Sequence, residues 1–149
     1  MLLAFTALAS TSIALTTELA FACAGRKAWI MRPGPLALAA RQLYRWLDRS
    51  IPLLSCVAAA ASLAFAASVG VTTRAGCMGL AGVLALGAHL ALYAQVARRF
   101  RADAECLGVS RVPPIELAKL QSRWEIAMTT RASLLAAALV CVVASVILG

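Results

Sequence analysis

The sequence predicts an all-α protein, a bundle of four transmembrane helices with amphipathic cytoplasmic helices before the second and fourth spans. Two observations predict this class. Of the 149 residues, 62% are hydrophobic, against about 45–50% in an average soluble domain, so lipid must cover part of the surface. The charged residues are also concentrated in two blocks that separate long uncharged runs, which is the pattern of loops between membrane spans.

The first apolar run covers residues 1–22 and has Glu18 as its only charged residue. Residues 20–22, Ala-Phe-Ala, resemble the cleavage site of a signal peptide. However, no Lys or Arg precedes the run, and the basic residues that follow it resist translocation. We therefore interpret this run as a retained helix, the first span of one membrane domain that comprises residues 1–149.

The first basic loop, residues 23–50, contains six Lys or Arg side chains. Pro33-Gly34-Pro35 indicates a turn. In residues 36–49, apolar side chains then form a stripe opposite the arginines, which predicts an amphipathic helix on the membrane surface.

The second and third spans are predicted at residues 51–71 and 77–97, each long enough to cross about 30 Å of hydrocarbon at 1.5 Å per residue. Pro52 would occupy the first turn of span two, where its missing N–H costs little. The short link of residues 72–76 makes these spans antiparallel neighbours. Span three also carries glycines every three residues, which allow close helix approach in lipid: Gly76, Gly79 and Gly82.

The second basic loop, residues 98–131, contains seven Lys or Arg side chains. Pro113 and Pro114 are predicted to end an irregular segment and to begin a helix that continues into span four, residues 132–148. Only Arg74 lies between spans two and three. The positive-inside rule therefore predicts that both long loops are cytoplasmic and that both termini are not.

The five cysteines are odd in number and include no C-x-x-C pair. We therefore expect no disulfide framework and interpret them as small polarisable side chains between helices. One histidine and one glutamate within the spans are too few ligands for a metal, so no metal or cofactor is predicted. The net charge of +8 is assigned to membrane loops and not to nucleic-acid binding.

Ionisable side chains inside a span cost about 2.5–3.5 kcal/mol on insertion scales, so each is a candidate functional group. Counting along the spans places Glu18, His89, Tyr93 and Arg131 in the cytoplasmic half of the bilayer. In a catalytic hypothesis, Glu18 or His89 is the base and Arg131 or Tyr93 holds an oxyanion.

Three further residues are predicted to contact the substrate. Thr11 shares a helical face with Glu18, and Trp124 and Met128 share one with Arg131 at spacings of four and three residues. The alternative is structural. In it, Glu18 pairs with a loop arginine, the histidine makes one interhelical hydrogen bond, and Trp124 and Arg131 anchor the interface.

Three segments resemble the anthrone-oxygenase-like family of small four-helix membrane proteins. They are ARQLYRWLDRSIPLL leading into span two, HLALYAQVARRF at the end of span three and ELAKLQSRWEIAMTTRASLLAAAL leading into span four. Members typically have a tryptophan, a His or Asn four residues later and an arginine three further on. Trp124 and Arg131 fit this pattern, whereas Met128 replaces the His or Asn. Residues 97–99 replace the family's proline–asparagine pattern.

The resemblance implies a membrane-bound monooxygenase of polyketide biosynthesis, which oxidises a lipophilic anthrone to an anthraquinone with molecular oxygen and no cofactor. A base would remove a proton from the acidic carbon, and the carbanion would react with oxygen. Met128 cannot take part in proton transfer, because its thioether is only a weak acceptor. The expected partners are the bilayer, the aromatic substrate and a homo-oligomer or larger membrane complex.

Two other functions compete with catalysis. A non-catalytic accessory subunit of a larger membrane complex is favoured by the glycine face of span three and by Met128. A small transporter is less well supported, because the paired, interrupted halves typical of transporters are not visible.

Overall fold

The structure, a computed structural model, describes the backbone of residues 1–28, 35–106 and 114–149. It describes the side chains of residues 1–20, 22, 49–96, 98, 122–123 and 125–149. The described backbone forms four α-helices, and the predicted all-α class is confirmed. They are α1 (Leu2–Ala28), α2 (Pro35–Val69), α3 (Arg74–Cys106) and α4 (Pro114–Leu148).

Each helix contains a segment that is long and apolar enough to cross a membrane: Leu2–Ala20, Arg49–Val69, Arg74–Val96 and Glu125–Leu148. Large aliphatic and aromatic side chains outside the bundle are widely exposed, including Phe5, Leu84 and Ile147. A soluble four-helix protein would bury most such side chains. The four apolar helices therefore fit an integral membrane protein with lipid on its outer surface.

The helices extend beyond the predicted spans. The predicted surface helix of residues 36–49 is not a separate element, because α2 continues from Pro35 through Pro52 to Val69. Pro52 therefore lies inside a helix and not in its first turn, and its missing N–H leaves the carbonyl one turn earlier without its helical donor. The stripe predicted for residues 36–48 lies outside the described side chains.

The second basic loop is also more helical than predicted. α3 passes the expected end at residue 97 and continues to Cys106. α4 begins at Pro114 and continues without interruption into the last apolar segment, as the prolines indicated.

The turn between α2 and α3 lies at residues 70–73, slightly earlier than the predicted 72–76. Gly70 has φ 92°, a left-handed conformation that favours glycine and ends α2. Thr73 then caps α3, because its Oγ1 accepts a hydrogen bond from the Gly76 N–H at 3.0 Å. Such a cap satisfies one of the free N–H groups of the first helical turn. The two helices are consequently antiparallel neighbours.

The bundle is a ring in which α1 packs against α2 and α4, and α3 packs against the same two helices. Its centre is rich in alanine, which lets the helices approach closely. The central cluster takes residues from every helix: Ala14, Ala58, Leu86, Leu135 and Ala138. A second cluster lies toward the 70–73 turn and consists of Ala7, Ala61 and Val142.

Two glycines of α3, Gly79 and Gly82, face other helices of the same bundle. A Cβ atom on Gly79 would lie 3.0 Å from the Ala66 Cβ and 3.1 Å from the Ser145 Oγ. A Cβ atom on Gly82 would lie 3.3 Å from Val142. The predicted close approach is therefore confirmed, but it occurs inside the protein. These two glycines do not form a free surface for a larger complex.

The interpretation of the cysteines as fillers between helices is wrong for Cys56 and Cys77, whose side chains are exposed. Cys141 is half-buried, and all three are free thiols. The apolar runs did not show which positions face outward, because in lipid both faces of a helix carry apolar residues.

Candidate functional site

Each helix contributes one buried polar side chain to a single layer of the bundle. On each helix, this side chain lies about one turn from a residue of the central cluster, on the same helical face and in the direction of the basic loops. These residues, called the polar layer below, are Glu18 on α1, Ser55 on α2, His89 on α3 and Arg131 on α4. The first three are fully buried and Arg131 is 2% exposed. Ser55, His89 and Arg131 lie six or seven residues inside the ends of their apolar segments, and Glu18 lies two residues inside the end of its segment.

Glu18 and Arg131 form a buried ion pair that joins the first helix to the last. The Arg131 Nη2 donates a hydrogen bond to Glu18 Oε2 at 3.0 Å. The Nε lies 2.8 Å from Oε1, close enough for strong attraction but without hydrogen-bond alignment. Two charges taken out of water need such close pairing to offset their desolvation. The pair therefore neutralises both groups within the apolar part of the bundle.

Two further side chains surround the guanidinium group. Its central carbon lies 4.5 Å from the centroid of the Tyr93 ring, a cation–π distance. Its Nη1 lies 3.9 Å from the Sδ of Met128, which is 4% exposed. A thioether is a weak acceptor, so Nη1 keeps most of its capacity to donate to another oxygen.

His89 is held by a residue of the neighbouring helix. The Ser55 Oγ lies 3.3 Å from the His89 Nδ1, within hydrogen-bond distance. The buried Nε2 has no hydrogen-bond partner within the described part of the chain. Because buried polar atoms are normally paired, this nitrogen is the clearest position for a ligand in the layer.

The structure thus brings five of the seven predicted site residues to one end of the bundle. Tyr93 lies one turn from His89 on α3, and Met128 one turn from Arg131 on α4. Glu18 pairs with Arg131, the last residue of the predicted second basic loop, and the structure places this arginine within the apolar segment of α4.

Thr11 is not brought to this site, although its placement there was predicted. It lies seven residues from Glu18, so about 10 Å separates them along the helix. Its Oγ1 donates to the Ala7 carbonyl oxygen at 2.7 Å, a bond that satisfies the hydroxyl within α1. Thr11 lies on the same face of α1 as Glu18, as predicted, but it is too far away along the helix axis to belong to the polar layer. The side chain of Trp124 lies outside the described residues.

Ser55 was missed by the sequence reasoning. Its only signal is a polar side chain at helical spacing from the buried face of α2, and α2 contains other serines with the same property. Ser62, for example, is buried with no hydrogen-bond partner for its Oγ among the described residues. Only the facing helix distinguishes the two, because it places the imidazole beside Ser55.

No family model, curated protein or solved structure matches the chain. Among the described residues, no group of three or more His, Cys, Asp or Glu side chains could hold a metal ion. What the layer offers chemically is a held imidazole, a paired carboxylate and a guanidinium group with one weakly engaged nitrogen.

Proposed function

We propose that the protein is a membrane oxygenase that oxidises a lipophilic aromatic carbon acid of the anthrone type, with His89 as the base. The observation that carries the proposal is the buried Nε2 of His89, which has no partner among the described residues. A general base must reach the proton it removes. The apolar surroundings suit a flat aromatic substrate that enters from the bilayer.

His89 is a better base than Glu18. The carboxylate of Glu18 is bound to Arg131 through two close contacts, and a paired carboxylate holds its negative charge firmly. Protonation of Glu18 would also leave the arginine charge buried without a counter-ion, which is costly. The imidazole has no such constraint on its Nε2.

Ser55 has a positioning role in this proposal. When the Nδ1–H of His89 donates to the Ser55 Oγ, the lone pair of Nε2 is available to accept a proton. The same contact fixes the plane of the ring. Without Ser55, the ring could rotate and populate the other tautomer, in which Nε2 carries the hydrogen and is no longer a base.

Arg131 would stabilise the negative charge that develops on the substrate. Its Nε and Nη2 face Glu18, whereas Nη1 has, among the described residues, the weak acceptor of Met128 as its neighbour. Nη1 is therefore the nitrogen that can donate to the oxygen of the enolate. Donors already in place in a water-poor site are effective, because they need no rearrangement during the reaction.

The proposed reaction balances with molecular oxygen as the only co-substrate. His89 removes one proton from the CH₂ carbon, and the carbanion transfers its electrons to oxygen and forms a C–O bond. The resulting peroxide anion takes up a proton to become a hydroperoxide. Loss of the remaining C–H proton and of hydroxide then gives the carbonyl of the anthraquinone and one molecule of water.

The test is oxygen consumption by the purified protein in detergent with an anthrone, corrected for uncatalysed oxidation. We expect His89→Gln to lower the rate about 100-fold or more, since general bases contribute about 10²–10⁴. Ser55→Ala should cause a smaller loss. Ser62→Ala is the matched control, because it removes a buried serine hydroxyl from the same helix away from the histidine, and it should retain the wild-type rate.

Two results would contradict this proposal separately. A folded wild-type protein that leaves anthrone oxidation at the uncatalysed rate would reject the function. Normal turnover by a folded His89→Gln protein would reject the base while leaving the function standing.

A further inference from the structure

A belt of exposed arginines surrounds the end of the bundle that carries the polar layer. Arg49 lies where the apolar segment of α2 begins, Arg98 just beyond that of α3, and Arg123 just before that of α4. All three side chains are exposed. Because α3 packs between α2 and α4 in the ring, the three arginines follow one another around the bundle.

Nothing in the described part of the chain neutralises this belt. Arg49, Arg98 and Arg123 make no ion pair or hydrogen bond with a described side chain. At the opposite end of the bundle, Arg74 is the only arginine in the described residues. The sequence has the same asymmetry, since 13 of its 14 Lys and Arg residues fall within residues 23–50 and 98–131 and only Arg74 falls between spans two and three.

Two of the arginines stand above an exposed aliphatic side chain. Leu53 lies four residues after Arg49 and is 68% exposed, and Ile126 lies three residues after Arg123 and is 65% exposed. Residues three or four apart are neighbours on one helical face. On α2 and on α4, a cationic group at the edge of the apolar segment is thus followed one turn deeper by an apolar contact surface.

This arrangement matches a glycerophospholipid, whose phosphate lies at the edge of the hydrocarbon and whose acyl chains lie beneath it. A guanidinium group binds phosphate oxygens in a planar, two-point geometry. Cationic side chains near a membrane surface also favour anionic lipids over zwitterionic ones, since the latter carry a positive group beside the phosphate.

We propose that Arg49, Arg98 and Arg123 bind the phosphates of anionic glycerophospholipids in one leaflet, with Leu53 and Ile126 against the acyl chains. The lipid is a component of the bilayer and not a free phosphate, because the aliphatic contacts have no role toward an inorganic ion. The belt is separate from the polar layer and does not depend on the proposed oxygenase activity.

The experiment measures lipid binding to the full-length protein in detergent by native mass spectrometry, with dioleoylphosphatidylglycerol and dioleoylphosphatidylcholine added in equal amounts. The wild type should retain phosphatidylglycerol in clear excess. Exchange of all three arginines for glutamine should remove the excess, and each single exchange should weaken binding about fivefold. Arg74→Gln is the matched control at the other end and should bind like the wild type.

Two further measurements distinguish the effect of lost charge from the effect of misfolding, and binding of a lipid from binding of free phosphate. A variant with lysine at the three positions should keep most of the preference, because the charge remains. If the triple glutamine variant does not fold, Arg123→Gln alone decides: about fivefold weaker binding supports the proposal, and unchanged binding overturns it. Equal retention of both lipids by the wild type, equal loss in Arg74→Gln, or competition by inorganic phosphate at the same concentration as the lipid would each overturn it.

Discussion

At the scale of the residue, the buried polar side chains form two separate pairs. Glu18 and Arg131 neutralise each other, whereas Ser55 holds His89 and leaves one imidazole nitrogen without a described partner. The two pairs differ in their possible chemical roles. An ion pair stabilises a fold or orients a guanidinium group, but a buried imidazole with a free nitrogen can bind a ligand or accept a proton.

The buried pair makes a strong prediction about stability. Glu18→Gln should destabilise the bundle by about 3–5 kcal/mol, because it leaves the Arg131 charge buried without a counter-ion. The double replacement Glu18→Leu with Arg131→Met should cost much less, since neither charge remains. Unfolding in mixed detergent micelles measures both variants, with Ser62→Ala as the control.

A double-mutant cycle gives the decisive comparison, with Glu18→Leu and Arg131→Met as its two single variants. Additive effects of the two single replacements would show that the pair contributes no coupling energy. In that case the close contact in the structure would not stabilise the fold.

At the scale of the element, α3 is defined by small residues where it meets its neighbours. Gly79 faces both Ala66 of α2 and Ser145 of α4, and the Ser145 Oγ donates to the Ala75 carbonyl oxygen at 2.6 Å. Without a hydrophobic driving force between helices in lipid, close packing and interhelical hydrogen bonds must hold them together. The glycine face of α3 provides the close packing, and Ser145 of α4 provides the interhelical hydrogen bond.

We therefore predict opposite outcomes for two alanine substitutions in the same helix. Gly79→Ala should destabilise the protein by about 1–3 kcal/mol, because its new methyl group has no room between the neighbouring helices. Gly87→Ala should be neutral or slightly stabilising, since no atom lies within 4 Å of the added Cβ and alanine favours the helix. Thermal unfolding in detergent distinguishes them, and equal effects would contradict the assigned packing.

The turn between α2 and α3 gives a second test at this scale. Gly70→Ala should destabilise the protein by about 1–2 kcal/mol, because the left-handed φ of 92° is unfavourable for an L-residue with a Cβ. Val71→Ala at the neighbouring exposed position should have little effect. A similar loss in both variants would mean that shortening side chains, and not backbone conformation, determines the effect.

At the scale of the whole molecule, the ring of helices places both chain ends together. Gly149 lies near Ala75 and Phe65 at the start of α3 and the end of α2. α1 is antiparallel to α4, because Glu18, near the end of the first apolar segment, meets Arg131 near the beginning of the last one. The termini and the 70–73 turn therefore share one end of the bundle, and the polar layer and the arginine belt lie toward the other.

The predicted orientation has a direct test. In a variant without the five native cysteines, Thr72→Cys should react with a membrane-impermeant maleimide added outside intact cells. Arg123→Cys should react only after the membrane is opened. The physical reason is the excess of positive charge at the loop end, which is retained in the cytoplasm. The reverse labelling pattern would show that the sidedness prediction is wrong.

The sequence by itself determined the helical class, the four apolar segments and the end of the bundle where ionisable groups gather. Runs of about 20 consecutive apolar residues predict helices in lipid, because a helix pairs its backbone groups within its own segment. It also indicated Glu18, His89, Tyr93 and Arg131, since ionisable and aromatic hydroxyl groups are conspicuous in apolar helices. Small residues at regular spacing marked the packing face of α3 in the same way.

Only the tertiary structure decided which of these residues meet. It paired Glu18 with Arg131, placed Ser55 beside His89 and separated Thr11 from both pairs. The sequence could not decide this, because apolar residues cover the lipid-facing and the inward-facing sides alike, so hydropathy does not determine how each helix is rotated. The axial offset between helices depends on packing between α1 and α4, which are distant in sequence. That packing is a property of the assembled bundle.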